Sequence, residues 1–104
     1  MIEKIKKMLG IGPKVDLGTV IANGGVIIDV RTTGEYAGGH VKGSLNIPLA
    51  SLNSQMSRLK KDKAIITCCA SGMRSGSARS ILQSNGFKEV YNGGSWYNLK
   101  KFER

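Results

Sequence analysis

The sequence is short of aromatic residues, of acidic residues and of histidine, and it contains no long apolar run. Each shortage removes a class of protein. Aromatics make up 6% of the chain, and none is interleaved with the basic clusters at Lys4, Lys6 and Lys7, at Lys60, Lys61 and Lys63, or at Lys100, Lys101 and Arg104. A surface that holds nucleic acid combines basic residues with stacking rings, so no nucleic acid is expected as a partner. A membrane-spanning helix needs about 20 consecutive apolar residues, and without such a stretch no stable membrane insertion is expected. Met1–Leu9 alternates charged with apolar residues, so no export leader is expected either. Cysteine is scarce too, and the two present, Cys68 and Cys69, are adjacent. Consecutive Cα atoms stand about 3.8 Å apart, shorter than the usual disulfide span, so bridging this pair would be strained and the chain has no disulfide framework of its own. Reduced thiols make the cytoplasm the expected location.

What the chain does have is basic charge. Sixteen Lys and Arg stand against seven Asp and Glu, a formal net charge of +9. A field of that sign draws anions, whether an acidic macromolecule or a small oxyanion. At 104 residues, 40% hydrophobic and 22% charged, the chain suits one globular domain with one modest core. Residues 1–13 read as a basic amphipathic helix and a linker. Ile2, Ile5, Met8 and Leu9 share a helical face with Lys4 and Lys7 off it, and the Gly-Ile-Gly-Pro run at 10–13 ends the helix. So short a segment packs on the domain or frays more readily than it lies on a membrane. Residues 14–104 then form the folded domain.

Two β-branched runs stand out in that domain, Val26–Val30 (VIIDV) and Ala64–Cys68 (AIITC). Runs apolar on both faces are what a central parallel strand shows. Ser44–Pro48 reads as a short extended piece and Glu89–Asn92 as a last strand closed by Gly93-Gly94. Lys14–Asp16 reads as an edge strand leading into a short helix that ends at Asn23. Ser51 is placed to cap a helix carrying Leu52, Met56 and Leu59. A further helix starts near Ser75, turns Ala78, Ile81 and Leu82 inward and stops at Gly86. Strands alternating with helices predict an α/β fold of three layers, a central, mainly parallel sheet flanked by helices on both faces.

The chemistry falls in residues 64–86: a buried strand, a loop of small residues and a helix. In open α/β sheets ligands bind beyond the carboxyl ends of the strands, and Cys69 stands there. The helix start aims unpaired N–H groups and the positive end of its dipole at the loop. Ala70, Ser71 and Gly72 let successive amides turn inward as an anion cradle, and Arg74 adds a guanidinium close by. A free thiol titrates near pH 8.5, roughly, and such surroundings bring it below neutrality. The helix end alone supplies up to about 2 kcal/mol, or roughly one pH unit of that change. Cys69 is therefore expected as a thiolate nucleophile, and Cys68, as the last strand residue, is expected to pack into the sheet.

The run Cys69-Ala70-Ser71-Gly72-Met73-Arg74-Ser75 resembles the Cys-x-x-Gly-x-Arg-Ser active-site loop of the rhodanese family. Asp29-Val30-Arg31, Glu35-Tyr36, Gly39-His40-Val41 and Gly43-Ser44-x-Asn46-Ile47-Pro48 resemble its upstream signature, and Val90, Gly93-Gly94 and Trp96 its downstream one. The resemblance implies a rhodanese-like three-layer fold and a sulfurtransferase. Cys69 would take a sulfane sulfur from thiosulfate or a persulfide, a small anionic donor, and pass it to a thiophile: cyanide in an assay, a protein thiol in a cell. It also implies that Ala70, Ser71, Gly72, Met73, Arg74 and Ser75 cradle the persulfide, and that neither a metal nor an organic cofactor takes part. Two displacements through a covalent intermediate give ping-pong kinetics. The family often has a basic residue directly after the catalytic cysteine, where this chain has Ala70. A charged donor is then left to Arg31, Arg74 and the general positive field, or the donor is itself a persulfide.

The other candidates have quieter expectations. His40, the sole histidine, fits a structural hydrogen bond before a turn better than a general base. Asp29, Arg31 and Glu35 are expected as a salt-bridged scaffold, with Arg31 kept as a possible substrate contact. Trp96 is divided between walling the pocket and filling the core. Two further functions compete. Dual-specificity phosphatases and arsenate reductases of the same fold use Cys-x5-Arg, which Cys68 to Arg74 satisfies, but Thr67 stands where a His typically precedes that cysteine and no acidic residue follows nearby. A persulfide carrier that delivers sulfur to one partner without free turnover is the other.

Overall fold

The computed structural model describes residues 15–103; the amphipathic helix expected over Met1–Leu9 lies outside them. Asp16 sets the first described element. Its carboxylate accepts the N–H groups of Gly18 at 3.0 Å and Thr19 at 3.4 Å and the Thr19 hydroxyl at 2.8 Å. It thereby caps helix α1 (Leu17–Ala22). A short side chain that satisfies the free amides of a helix start competes with strand pairing, so Val15 and Asp16 are not part of the edge strand expected there.

Strand β1 (Val26–Asp29), helix α2 (Thr33–Ala37) and the two-residue strand β2 (Leu45–Asn46) follow. Helix α3 (Leu52–Gln55) is a single turn between two 310 turns, Leu49–Ser51 and Met56–Arg58. Ser51 does not cap it: its backbone (φ −101°, ψ −3°) already continues the preceding turn, and its hydroxyl makes no cap bond. Strand β3 (Ile65–Cys69), helix α4 (Met73–Ser84), strand β4 (Val90–Ser95) and a closing 310 helix (Trp96–Phe102) complete the chain. Helix α4 stops as expected, with Gly86 at φ +92° and the Phe87 N–H donating back to the Leu82 carbonyl at 3.1 Å.

The strands lie in the order β2-β1-β3-β4, every pair parallel. Two apolar layers cover the two faces. One holds Ile28, Val30, Leu52, Ile65, Cys69, Ala78 and Leu82, beneath α3 and α4. The other holds Ile21, Ile27, Val41, Ile66, Cys68 and Leu99, beneath α1 and the closing 310 helix. Side chains alternate along a strand, so Ile65 and Cys69 of β3 face one layer and Ile66 and Cys68 the other. The adjacent cysteines therefore point to opposite sides of the sheet. Among the described residues no helix is long and apolar enough to cross a membrane.

Gly93-Gly94, expected to close the last strand, lies inside it. Thr67 pairs with Asn92 and Cys69 with Ser95, so β4 carries one more residue than β3 between these two pairs. This bulge bends β4 around the end of β3, with Gly94 at φ +77°. Gly93 has no room for a side chain, since a Cβ there would stand 2.9 Å from Ile66 Cγ2, 2.9 Å from Leu99 Cδ1 and 3.0 Å from the Thr67 carbonyl oxygen. Overpacking of that kind costs about 1–3 kcal/mol. Gly93→Ala is expected to lower the free energy of unfolding by that amount, and the urea midpoint with it, as measured by circular dichroism; an unchanged midpoint would show that the bulge is not tightly packed.

Candidate active site

β3 ends at Cys69, and three residues later the chain has turned into α4. Gly72 makes this possible. At φ +106° it adopts the left-handed conformation open to glycine and serves as the helix N-cap. The helix thus begins at Met73, two residues before the expected start, and Ser75 falls in its first turn. Two backbone donors then converge on one sulfur: the N–H of Gly72 reaches Cys69 Sγ at 2.9 Å and that of Ser75 at 3.4 Å. The Ser75 hydroxyl oxygen lies 3.5 Å from the same sulfur.

Burial works against ionisation of Cys69. The Ser75 hydroxyl and the backbone N–H groups of Ser75, Gly72 and Ser71 more than offset it, and together they bring the thiol below its ordinary value. The expected loop residues Ala70 and Ser71 are exposed, whereas Ser75 is buried. Cys69 itself has no exposed surface and belongs to the apolar layer beneath α3 and α4.

Cys68 is the opposite case. It is equally buried, but on the far side of the sheet with Ile27, Ile66 and Leu99. Burial, and after it the neighbouring Asp29 charge, pushes its thiol up to about 12. A thiol so placed is no nucleophile near neutral pH, and the Cys68-x5-Arg74 arrangement loses its attacking group.

The charged residues form two brackets. Arg31 donates through Nε to both Asp29 oxygens at 3.0 Å, through Nη2 to Asp29 Oδ2 at 2.8 Å and to the Gly39 carbonyl at 2.7 Å, and through Nη1 to the Glu35 carbonyl at 3.3 Å. Its guanidinium also stacks on Trp96, 4.6 Å from the ring centroid. With the Arg31 residue 4% exposed, its guanidinium is part of the salt-bridged scaffold expected with Asp29. Trp96 is half-buried and packs against the apolar layer that holds Cys68, on the face of the sheet opposite Cys69.

Arg74 is the other bracket. Its Nη1 and Nη2 reach the two Glu35 oxygens at 2.7 and 3.0 Å. Glu35 therefore pairs with Arg74 across two helices, where the sequence suggested the Asp29–Arg31 group. Glu35 also closes a capping box with Thr32 at the start of α2, a Thr-x-x-Glu pattern that could have been read directly. His40 is structural: Nδ1 lies 2.8 Å from the Tyr36 carbonyl oxygen and the ring stacks on Tyr36 at 3.8 Å. Among the described residues no three His, Cys, Asp or Glu side chains are grouped to hold a metal. Sequence reasoning missed Asn92, whose side chain joins Ser75, Gly94 and Gly72; the register of the bulge, not any motif, puts it there.

The site is thus a parallel α/β sheet with a cysteine at a strand end, met by two backbone N–H groups where a helix opens. Comparison with known proteins narrows this. The rhodanese-like domain family model matches residues 13–100, and the chain belongs to that family. It is 41% identical over 66 residues to the uncharacterised protein YqhL of Bacillus subtilis (strain 168), covering 64% of this chain and 52% of that one. It is 36% identical over 70 residues to thiosulfate sulfurtransferase GlpE of Ectopseudomonas mendocina (strain ymp), covering 67% of this chain and 64% of that one. The chain thus spans about half to two thirds of the length of these curated relatives. Among solved structures, the human single-domain sulfurtransferase TSTD1 superposes with a TM-score of 0.72 at 26% identity, over 89% of this chain and 99% of that one.

The Arg74–Glu35 pair carries its own pH signature. The Arg74 guanidinium, with the Thr32 N–H next, holds the Glu35 carboxyl down at about 2, against an ordinary 4.5. A depressed carboxyl stabilises the fold above its ordinary value and loses that contribution as the pH falls toward the folded value. Glu35→Gln keeps the capping box and removes only the charge. The melting temperatures of wild type and Glu35→Gln are expected to differ at neutral pH and to converge between about pH 4.5 and 2. A gap that stays constant across that range would mean the pair contributes nothing to stability.

Proposed function

We propose that this chain is a sulfurtransferase that carries a sulfane sulfur as a persulfide on Cys69. The observation that carries the reading is the convergence of the Gly72 and Ser75 N–H groups on Cys69 Sγ in a chain of the rhodanese-like domain family. Such donors favour a sulfur anion over a thiol, and an anionic sulfur is needed twice in the reaction.

In the first displacement the Cys69 thiolate attacks the outer sulfur of the donor. The Sγ–S bond forms as the donor's S–S bond breaks, and the donor leaves as sulfite from thiosulfate or as a thiolate from a persulfide. In the second, an acceptor thiolate attacks that outer sulfur and forms its own S–S bond, and Cys69 leaves as the thiolate. The amides of the loop from Ala70 to Ser75 then serve the persulfide as they serve the bare sulfur. Both guanidinium groups expected to meet the donor are engaged, Arg31 with Asp29 and Arg74 with Glu35. A persulfide donor, which asks less of them than a dianion, fits this mouth better than thiosulfate. The acceptor is a protein thiol, and a reducing cytoplasm suits both partners.

The covered sulfur favours a second reading of the same chemistry, a carrier whose loop is opened by one partner. Turnover with cyanide compared with transfer to protein thiols separates the two.

Incubation of the reduced protein with thiosulfate or a glutathione persulfide is expected to add one sulfur atom, seen by intact mass and removed by cyanide. Cys68→Ser is expected to load like the wild type and Cys69→Ser not at all. Loading of Cys69→Ser would overturn the assignment.

A further inference from the structure

Asn92 lies in β4 opposite Thr67, and three partners fix its carboxamide. The Gly94 N–H donates to Oδ1 at 2.9 Å, and Nδ2 donates to the Gly72 carbonyl oxygen at 3.1 Å. A backbone N–H can only donate and a carbonyl can only accept, so these two contacts determine which end of the amide is oxygen. The oxygen therefore faces the Ser75 hydroxyl, 2.6 Å away, and that hydroxyl must donate. A serine has one proton to give. With it committed to Asn92, Ser75 Oγ turns a lone pair toward Cys69 Sγ at 3.5 Å and accepts from the thiol. A thiolate at the same place, already met by the Gly72 and Ser75 N–H groups, competes for the proton that Asn92 holds.

We propose that Asn92 is a positioning residue that directs the single proton of the Ser75 hydroxyl and so sets the balance between thiol and thiolate at Cys69. The inference rests on Cys69 as the reacting sulfur of the proposed transfer. At rest Asn92 holds the proton, and the sulfur stays a thiol that donates to Ser75. On ionisation the thiol proton goes to solvent, the Ser75 O–H turns from Asn92 to the sulfur, and Asn92 Oδ1 keeps the Gly94 N–H. Ser75 never loses its proton, and Asn92 is neither acid nor base. The charged group that bears on the sulfur is Arg74 of α4, paired with Glu35 of α2; the Asp29–Arg31 pair bears on the neighbouring Cys68 thiol, on the other side of the sheet. A change at position 92 replaces none of them.

The test is the pH dependence of Cys69 alkylation by iodoacetamide on the full chain, followed by peptide mass, which does not require sulfur transfer. Asn92→Ala frees the Ser75 proton for the thiolate and is expected to lower the midpoint by about half a pH unit to one unit. Asn92→Asp, nearly the same shape, grips the proton harder and adds negative charge, and is expected to raise it by about one unit. In a Ser75→Ala background the Asn92→Ala change is expected to disappear and the Asn92→Asp rise to shrink. Shifts of opposite sign are what a mere brace for the loop would not produce. Two shifts in the same direction, no shift, or an undiminished response without the Ser75 hydroxyl would overturn the proposal. Should Asn92→Ala fail to fold, the response of Asn92→Asp with and without Ser75 decides alone. The predicted shifts in a protein that never gains sulfur from any donor would uphold Asn92 and overturn the transfer reading instead.

Discussion

Backbone N–H groups from two residues aimed at one sulfur are the constraint around which the rest of this domain is arranged. They belong to Gly72 and Ser75, which stand in the turn from strand to helix, and neither could reach Cys69 if that turn were longer. Its tightness rests on the left-handed backbone of Gly72, and its position on β3, which is buried along its whole length. The sheet supplies the rigidity and the loop supplies the electrostatics. Moving α4 by one residue would take Ser75 away from the sulfur and leave a cysteine like any other.

The surrounding groups hold this arrangement from three sides. Thr67, two residues before Cys69, donates its hydroxyl proton to the Ser75 carbonyl at 2.8 Å and ties the helix start to the strand. Glu35 reaches across from α2 to hold Arg74. The Asp29–Arg31 pair, covered by Trp96, gathers the carbonyls of Glu35 and Gly39 and so fixes the segment that presents Glu35. Buried ion pairs add little net stability, but losing one partner strands the other charge. Here the pair's contribution is order in the segment facing the active loop.

Much of this was legible in the sequence, and the parts that were not share a cause. The runs at 26–30 and 64–68 announced parallel strands because each is apolar on both faces, and the order of strand, small-residue loop and helix placed Cys69 at the sheet's functional edge. Alternation along β3 explains in one step why the adjacent cysteines lie in different layers. The failures lie where a local side chain or a distant partner overrode pattern. Asp16 became a helix cap because its carboxylate met two amides and a hydroxyl within three residues. Glu35 found Arg74, 39 residues away, a pairing that no spacing rule shows. Arg31 reads as a possible substrate contact beside its scaffold role because nothing in the sequence reveals that two carbonyls and an indole await it. The place of Asn92 depends on a bulge, and bulges are set by the packing of Gly93 against Ile66 and Leu99.

The lack of exposed surface at Cys69 has a bearing on survival as well as on turnover. Ionised thiols are the ones that peroxide attacks, and exposure decides how often the encounter occurs. A sulfur met by backbone amides yet without exposed surface is shielded from an oxidant that merely collides with the protein. The same cover that slows a donor's approach protects the nucleophile from irreversible damage between encounters.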